Sequence, residues 1–143
     1  MKLLVINGPN LNLLGVREPD LYGSRTYPDL VRHCAETAAS CGVEIETRQT
    51  NHEGTIVDWI QESRGEFDAI ILNAAAYTHT SVAILDAIKA VKARVAEVHL
   101  TDPASREGFR RVSYVGMVAE KTFSGLGFGS YTAAILHFAG KDI

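Results

Sequence analysis

Apolar positions along the chain form short continuous runs that alternate with stretches where they recur every three or four residues. Leu3 to Ile6 is such a run, closed by Asn7-Gly8-Pro9, the pattern of a buried strand that delivers a turn. A long polar loop follows, to about Arg25. Thr26, with Asp29 three residues on and Pro28 in the first turn, marks a helix start; Leu30, Val31, Cys34, Ala35 and Ala38 supply its apolar face and Gly42 ends it. Val43 to Gln49 alternates Val43, Ile45 and Thr47 with Glu44, Glu46 and Arg48, as a half-buried strand does. Past Asn51-His52-Glu53-Gly54, the helical spacing returns at Ile56, Val57 and Ile60, and Ala69 to Leu72 reads as a third strand. Ser81 precedes a helix carrying Ile84, Leu85, Ile88 and Val91, Val95 to Leu100 is a fourth strand, Thr122 to Gly125 a fifth, and Tyr131 to Phe138 a closing helix. This order predicts an α/β protein with a five-stranded parallel sheet and helices on both faces.

Composition leaves that reading intact. With 143 residues, 46% of them hydrophobic and 22% charged, the chain is expected to fold as one domain over 1–143 without staples. A net charge of −3, with no long block of either sign, gives no electrostatic footprint for nucleic acid or an anionic membrane. Cys34 and Cys41 share one predicted helix, about 10 Å apart along it, beyond disulfide reach. Free core thiols in a reducing compartment are expected. The apolar start, M-K-L-L-V-I, is too short for a signal peptide's core or a membrane span, so a soluble, cytoplasmic protein is expected.

In folds of this class, ligands sit outside the carboxyl ends of the strands, where strand order reverses. The segments that fall there are Asn7 to Asn12, Asn51 to Glu53, Asn73 to Thr80 and His99 to Asp102, all polar and three of them carrying histidine. Chain reversal alone needs only Gly, Pro, Asn and Asp, so a site is the simpler explanation. Plainer readings stand beside it: Asn10 and Asn12 as turn residues, His52 as part of a helix start with Glu53 at the positive end of the dipole, His33 and His137 as helix histidines, Trp59 as packing. His79 and His99 are the stronger candidates. No H-E-x-x-H or C-x-x-C spacing supports zinc, and neither G-x-G-x-x-G nor G-K-[ST] supports a nucleotide. No metal and no cofactor are expected.

The segment N-G-P-N-L-N-L-L-G-V-R-E-P-D-L-Y-G, Asn7 to Gly23, closely resembles the N-terminal signature of the type II dehydroquinases, which are 3-dehydroquinate dehydratases. The likeness continues through R-Q-T-N-H-E-G at Arg48 to Gly54, A-Y-T-H-T-S-V-A at Ala76 to Ala83, E-V-H-L-T at Glu97 to Thr101 and R-E-G-F-R at Arg106 to Arg110. The resemblance implies a flavodoxin-like three-layer sandwich and a homododecamer built as a tetramer of trimers. It also implies a lyase of the shikimate pathway that converts 3-dehydroquinate to 3-dehydroshikimate by anti elimination through an enolate.

Roles follow from the same resemblance. Tyr22 is the base, as tyrosinate. A free phenol is only ~0.1% ionised at pH 7, a penalty of about 4 kcal/mol, so Arg17 in the same loop is expected to supply the offsetting charge. The loop at about 10–25 would then be both lid and catalyst. His99 is the general acid and Glu97 orients its ring, a pairing that strand alternation permits. Asn10 holds the water that stabilises the enolate oxygen. Leu100 and Thr101 grip the carboxylate, Asn73, His79 and Arg110 reach the ring hydroxyls, and Asp86 reaches into a neighbouring subunit's site.

Three places depart from the common family pattern: Ala74-Ala75 where proline and a small residue are frequent, Leu85 where arginine is common, and Thr101-Asp102 where Ser-Asn is common. Asp102 brings a negative charge near the expected carboxylate pocket. Rival readings are a flavin carrier of the same fold, which should show a Ser/Thr-rich phosphate loop, a non-catalytic scaffold, and a metal-dependent hydrolase.

Overall fold

The computed structural model describes residues 1–16, 20 and 24–141. Its sheet contains β1 (Lys2–Asn7), β2 (Glu44–Gln49), β3 (Ala69–Asn73), β4 (Val95–His99) and β5 (Lys121–Ser124), all parallel, in the order β2-β1-β3-β4-β5. The helices are α1 (Tyr27–Cys41), α2 (Glu53–Glu62), α3 (Val82–Val91) and α4 (Gly129–Phe138). Alternation along the strands sorts the core into two layers. Leu3, Val5, Ile71, Ala96 and Val98 face α1 and α4, whereas Leu4, Ile6, Ile70, Leu72 and Val95 face α2 and α3. A sheet buried on both faces is why β1 and β3 read as unbroken apolar runs. The three layers are those of a flavodoxin-like fold, as the resemblance implies, and the parallel sheet with helices on both faces is the one the element order predicts.

Local chemistry sets the helix boundaries. Thr26 Oγ1 accepts the Asp29 N–H at 3.3 Å while Asp29 Oδ2 accepts the Thr26 N–H at 2.9 Å, a reciprocal pair that satisfies two donors at the start of α1. Ser81 Oγ accepts from the Ile84 N–H at 3.0 Å to start α3. Most strand edges and the start of α4 differ from expectation by one or two residues. β5 begins at Lys121, which pairs with Ala96, and Gly125 has already left the strand in a left-handed conformation with φ 79°. α4 begins at Gly129, ahead of Tyr131.

The loop after β1 is less polar in space than in sequence. Leu11 and Leu14 are buried in the α1/α4 layer, and Leu13 between them stays exposed. Hydrophobic burial therefore pins the start of the segment expected to act as a lid. Its far end returns to the same place: a side chain at Gly15, where φ is 86°, would put a Cβ 2.9 Å from the Ser24 carbonyl oxygen. Arg17 and Tyr22 lie outside the described residues.

Both helix histidines read as structural are satisfied within the fold. His33 Nε2 bonds Thr132 Oγ1 at 2.6 Å, and His137 Nε2 meets Glu120 at 2.8 Å. His52 stands at the N-terminal boundary of α2 and makes no side-chain cap. Trp59 packs on the α2/α3 layer under the guanidinium of Arg48. No helix among the described residues is long and apolar enough to cross a membrane.

The two cysteines separate by environment. Cys34 is fully buried and burial pushes its thiol up to about 12, whereas Cys41 at the end of α1 is only half-buried. Iodoacetamide applied to the native protein at pH 8 is expected to alkylate Cys41 and spare Cys34. Peptide mapping that found Cys34 labelled as fast as Cys41 would contradict this packing.

Candidate active site

Strand order reverses between β1 and β3, and Asn7 pairs with Asn73 at the last rung. Beyond that rung the backbones nearly touch. Gly8 N–H donates to the Asn73 carbonyl at 2.8 Å, and a Cβ on Gly8 would sit 2.6 Å from the Ala74 carbonyl oxygen. Only glycine fits there, and the chain then diverges to open a cleft of about 230 Å³ at the carboxyl ends of β1, β3 and β4. Asn10, Asn73, His79 and His99 line it, with Leu100, Thr101 and Arg110 on the β4 side. Asp86 is exposed on α3 and does not line the cleft.

Glu97 and His99 share one face of β4. The His99 Nε2 to Glu97 Oε2 distance is 2.8 Å, and both residues are buried. Glu97 has further partners: Ser113 donates its hydroxyl to Oε2, and Thr122 Oγ1 donates to Oε1 at 2.8 Å. Ser113 is itself held by the Gly116 N–H at 2.9 Å. Burial alone would raise the Glu97 pKa, but the bonds from His99, Ser113 and Thr122 outweigh it and hold the carboxyl below its ordinary value. An ionised carboxylate therefore accepts the Nε2 proton of His99, fixes the ring, and leaves Nδ1 as the nitrogen for the cleft.

The other polar residues are held as firmly. His79 Nδ1 lies 2.7 Å from the Val112 carbonyl oxygen, an obligate acceptor, so Nδ1 carries a proton and Nε2 is the ring nitrogen left free of that bond. Arg110 Nε donates to Glu107 Oε2 at 2.7 Å, and its guanidinium lies 5.1 Å from the Phe109 ring. The Leu100 carbonyl accepts from the Gly127 N–H at 2.9 Å, which fixes the backbone at the cleft floor.

Asn10 adopts a left-handed conformation, φ 70°, and its N–H donates to Asn51 Oδ1 at 3.0 Å. Gln49 Nε2 lies within hydrogen-bonding distance of Asn51 Oδ1, Asn12 Oδ1 and the Gly8 carbonyl oxygen. Gln49, Ser113 and Thr122 were not singled out by sequence reasoning, and Asn51 only as the first residue of a strand-end segment. Gln49 and Asn51 fall in the quoted R-Q-T-N-H-E-G segment, so a signal existed. Thr122 could be found only from the register that sets it beside Glu97.

Asp102 is engaged locally: its carboxylate accepts the Ala104 N–H at 3.0 Å, capping the short turn Pro103–Ser105. It does not line the cleft itself but lines an adjoining depression with His79, His99 and Arg110. Ala74 is buried against Gly8, and Ala75 takes a left-handed φ of 53° while its N–H donates to Asn73 Oδ1 at 3.1 Å. Leu85 is half-buried on α3.

A depressed carboxyl pKa contributes stability that is present above its unfolded value of 4.5 and is lost as pH falls through the lower folded value. Glu97→Gln should remove that part of the acid sensitivity and cost about 1–3 kcal/mol near neutrality, because an amide cannot accept all three donors. Urea melts of both proteins between pH 3 and 7 would check this; parallel pH dependences would mean that Glu97 is not the charged hub.

The comparisons with known proteins agree with one another. The sequence profile described as dehydroquinase class II matches residues 1–139. A 3-dehydroquinate dehydratase of Phenylobacterium zucineum is 53% identical over 138 residues, covering 96% of this chain and 95% of that protein. A protein named catabolic 3-dehydroquinase 2 from Neosartorya fischeri is 55% identical over 141 residues, covering 99% of this chain and 93% of its own. The crystal structure of the type II dehydroquinase from Butyrivibrio crossotus superposes with a TM-score of 0.94 at 43% identity, covering 99% of this chain and 98% of that one. A profile match over nearly the whole chain, relatives at 53% and 55% identity and a shared fold leave one reading: this chain belongs to the class II dehydroquinase family.

Proposed function

We propose that the protein dehydrates 3-dehydroquinate to 3-dehydroshikimate in the shikimate route to aromatic amino acids, by anti elimination through an enolate. The observation that carries the proposal is the buried Glu97–His99 pair facing a polar cleft at the strand ends, in a chain whose relatives are named 3-dehydroquinate dehydratases. Tyr22, as tyrosinate beside Arg17, takes the proton alpha to the ketone, and electron density moves onto the carbonyl oxygen. Asn10 holds a water against that oxygen, where charge develops. Collapse of the enolate expels the hydroxyl on the opposite face, and His99 supplies the proton that makes it water. The balance needs no oxidant, metal or cofactor.

Two described tyrosines near the strand ends make poor alternatives to Tyr22. Tyr131 bonds Asn73 and Tyr27 lies beside Asn7; burial raises the pKa of both, the wrong direction for a base. In the proposed pose the Leu100 and Thr101 N–H groups and the Thr101 hydroxyl bind the carboxylate. Asn73, His79 and Arg110 bind the ring hydroxyls. Asp86 completes the cleft of a neighbouring subunit in a cytoplasmic homododecamer, a tetramer of trimers. An exposed carboxylate on α3, away from its own chain's cleft, suits that role.

The purified protein, mixed with 3-dehydroquinate without added metal, is expected to generate the ultraviolet absorbance of a conjugated enone, undiminished by a chelator. Tyr22→Phe should reduce kcat by about 10²–10⁴-fold, the usual contribution of a positioned base. No turnover by the wild type would sink the activity, and a fully active Tyr22→Phe variant would sink the mechanism alone. Asp86→Ala should lower activity if the subunits complete one another. Light scattering checks the assembly, and a monomer retaining full activity would refute the shared cleft.

A further inference from the structure

Tyr131 is the bulkiest of the fully buried side chains and extends from α4 to the carboxyl ends of β1 and β3. Its hydroxyl donates to Asn7 Oδ1 at 2.6 Å and accepts from Asn73 Nδ2 at 2.8 Å. A phenol has one hydrogen, and with that hydrogen on Asn7 the oxygen can meet Asn73 only as an acceptor. At the other end of the same carboxamide, the Ala75 N–H, an obligate donor, holds Asn73 Oδ1. The two bonds together decide which terminal atom of Asn73 is nitrogen and which is oxygen. One N–H of Nδ2 remains, on a residue that lines the cleft.

We infer that Tyr131 is a positioning residue for substrate selection: it holds the Asn73 carboxamide so that it presents a hydrogen-bond donor to the cleft and selects a ring oxygen whose lone pair faces it. The inference rests on the 3-dehydroquinate reading of the cleft, and Tyr131 itself touches no substrate. Its phenol stays protonated through the working pH range, because burial pushes it well above its ordinary value, so the orientation does not vary with pH.

Tyr131→Phe removes one oxygen and frees the carboxamide to rotate. The variant should raise KM for 3-dehydroquinate about tenfold, the value of one well-placed hydrogen bond, with kcat within about twofold. Substrate analogues lacking a single ring hydroxyl separate positioning from general loosening. For the analogue missing the hydroxyl that faces Asn73, KM should be the same in wild type and variant, while the others show the tenfold rise. Asn7→Ala reaches the same network from the opposite end, by releasing the Tyr131 hydrogen, and should give the same split; it decides the matter if Tyr131→Phe does not fold. Wild-type turnover is measured first: its absence overturns the activity and the inference with it. Turnover with KM unchanged in the folded variants, or raised equally for every analogue, overturns only the role of Tyr131.

Discussion

A carboxylate taken out of water must be met by donors on every side, or it gives up its charge and destabilises the fold around it. Glu97 sits near the end of β4 at 2 % exposure, and three side chains meet it: His99 from its own strand, Thr122 from β5 and Ser113 from the connection between them. Satisfying this one group ties β4 to β5 and folds residues 113–116 back beneath the cleft. It also leaves His99 one available geometry. The edge of the sheet and the histidine at its end are thus organised by the same buried charge, and the bonds that keep Glu97 ionised are those that aim the ring.

The opposite wall of the cleft depends on close backbone approach. β1 and β3 run side by side until Asn7 and Asn73, and the contact of Gly8 with Ala74 continues the pairing one residue further, where a side chain would have forced the strands apart. From there, burial of Leu11 and Leu14 pulls the following turn down onto the core, while Gln49 and Asn51 hold its polar atoms from the β2 side. Asn10 is consequently positioned by three strands' worth of structure despite standing on a loop. A rigid wall of this kind is what a reaction needs if a single ordered water is to meet developing charge, since reorganisation during the reaction would cancel the benefit.

Two of the departures from the common family pattern take part in local hydrogen bonds. Asp102 turns its carboxylate to the amide of a short turn, so the extra charge caps a helix start. Ala75 accepts a left-handed backbone, and its N–H is spent on orienting Asn73. Both cases show a side chain or amide at the cleft rim serving its neighbour, which keeps the lining residues fixed.

Much of this protein was legible along the chain because the responsible physics is local. Thr26 and Asp29 announce the start of α1, Ser81 that of α3, and the unbroken runs at Leu3 and Ala69 announce strands buried on two faces; each depends on residues within a few positions of one another. The pairing of Glu97 with His99 came from the family resemblance, and strand alternation, which sets the two on one face, permits it. What the tertiary structure decided concerns partners far apart in sequence. Leu11 and Leu14 leave a polar segment for the core because α1 and α4 provide a surface for them. Gln49 and Asn51 bracket the first loop only once β2 lies beside β1. Tyr131 reads as an ordinary core aromatic until its hydroxyl is found against Asn7, 124 residues away. The sequence by itself determined the elements, their order and the residues at the strand ends. Tertiary structure alone decided which donors meet which acceptors there, because a hydrogen bond is specified to a few tenths of an ångström and a pattern along one dimension carries no such distance.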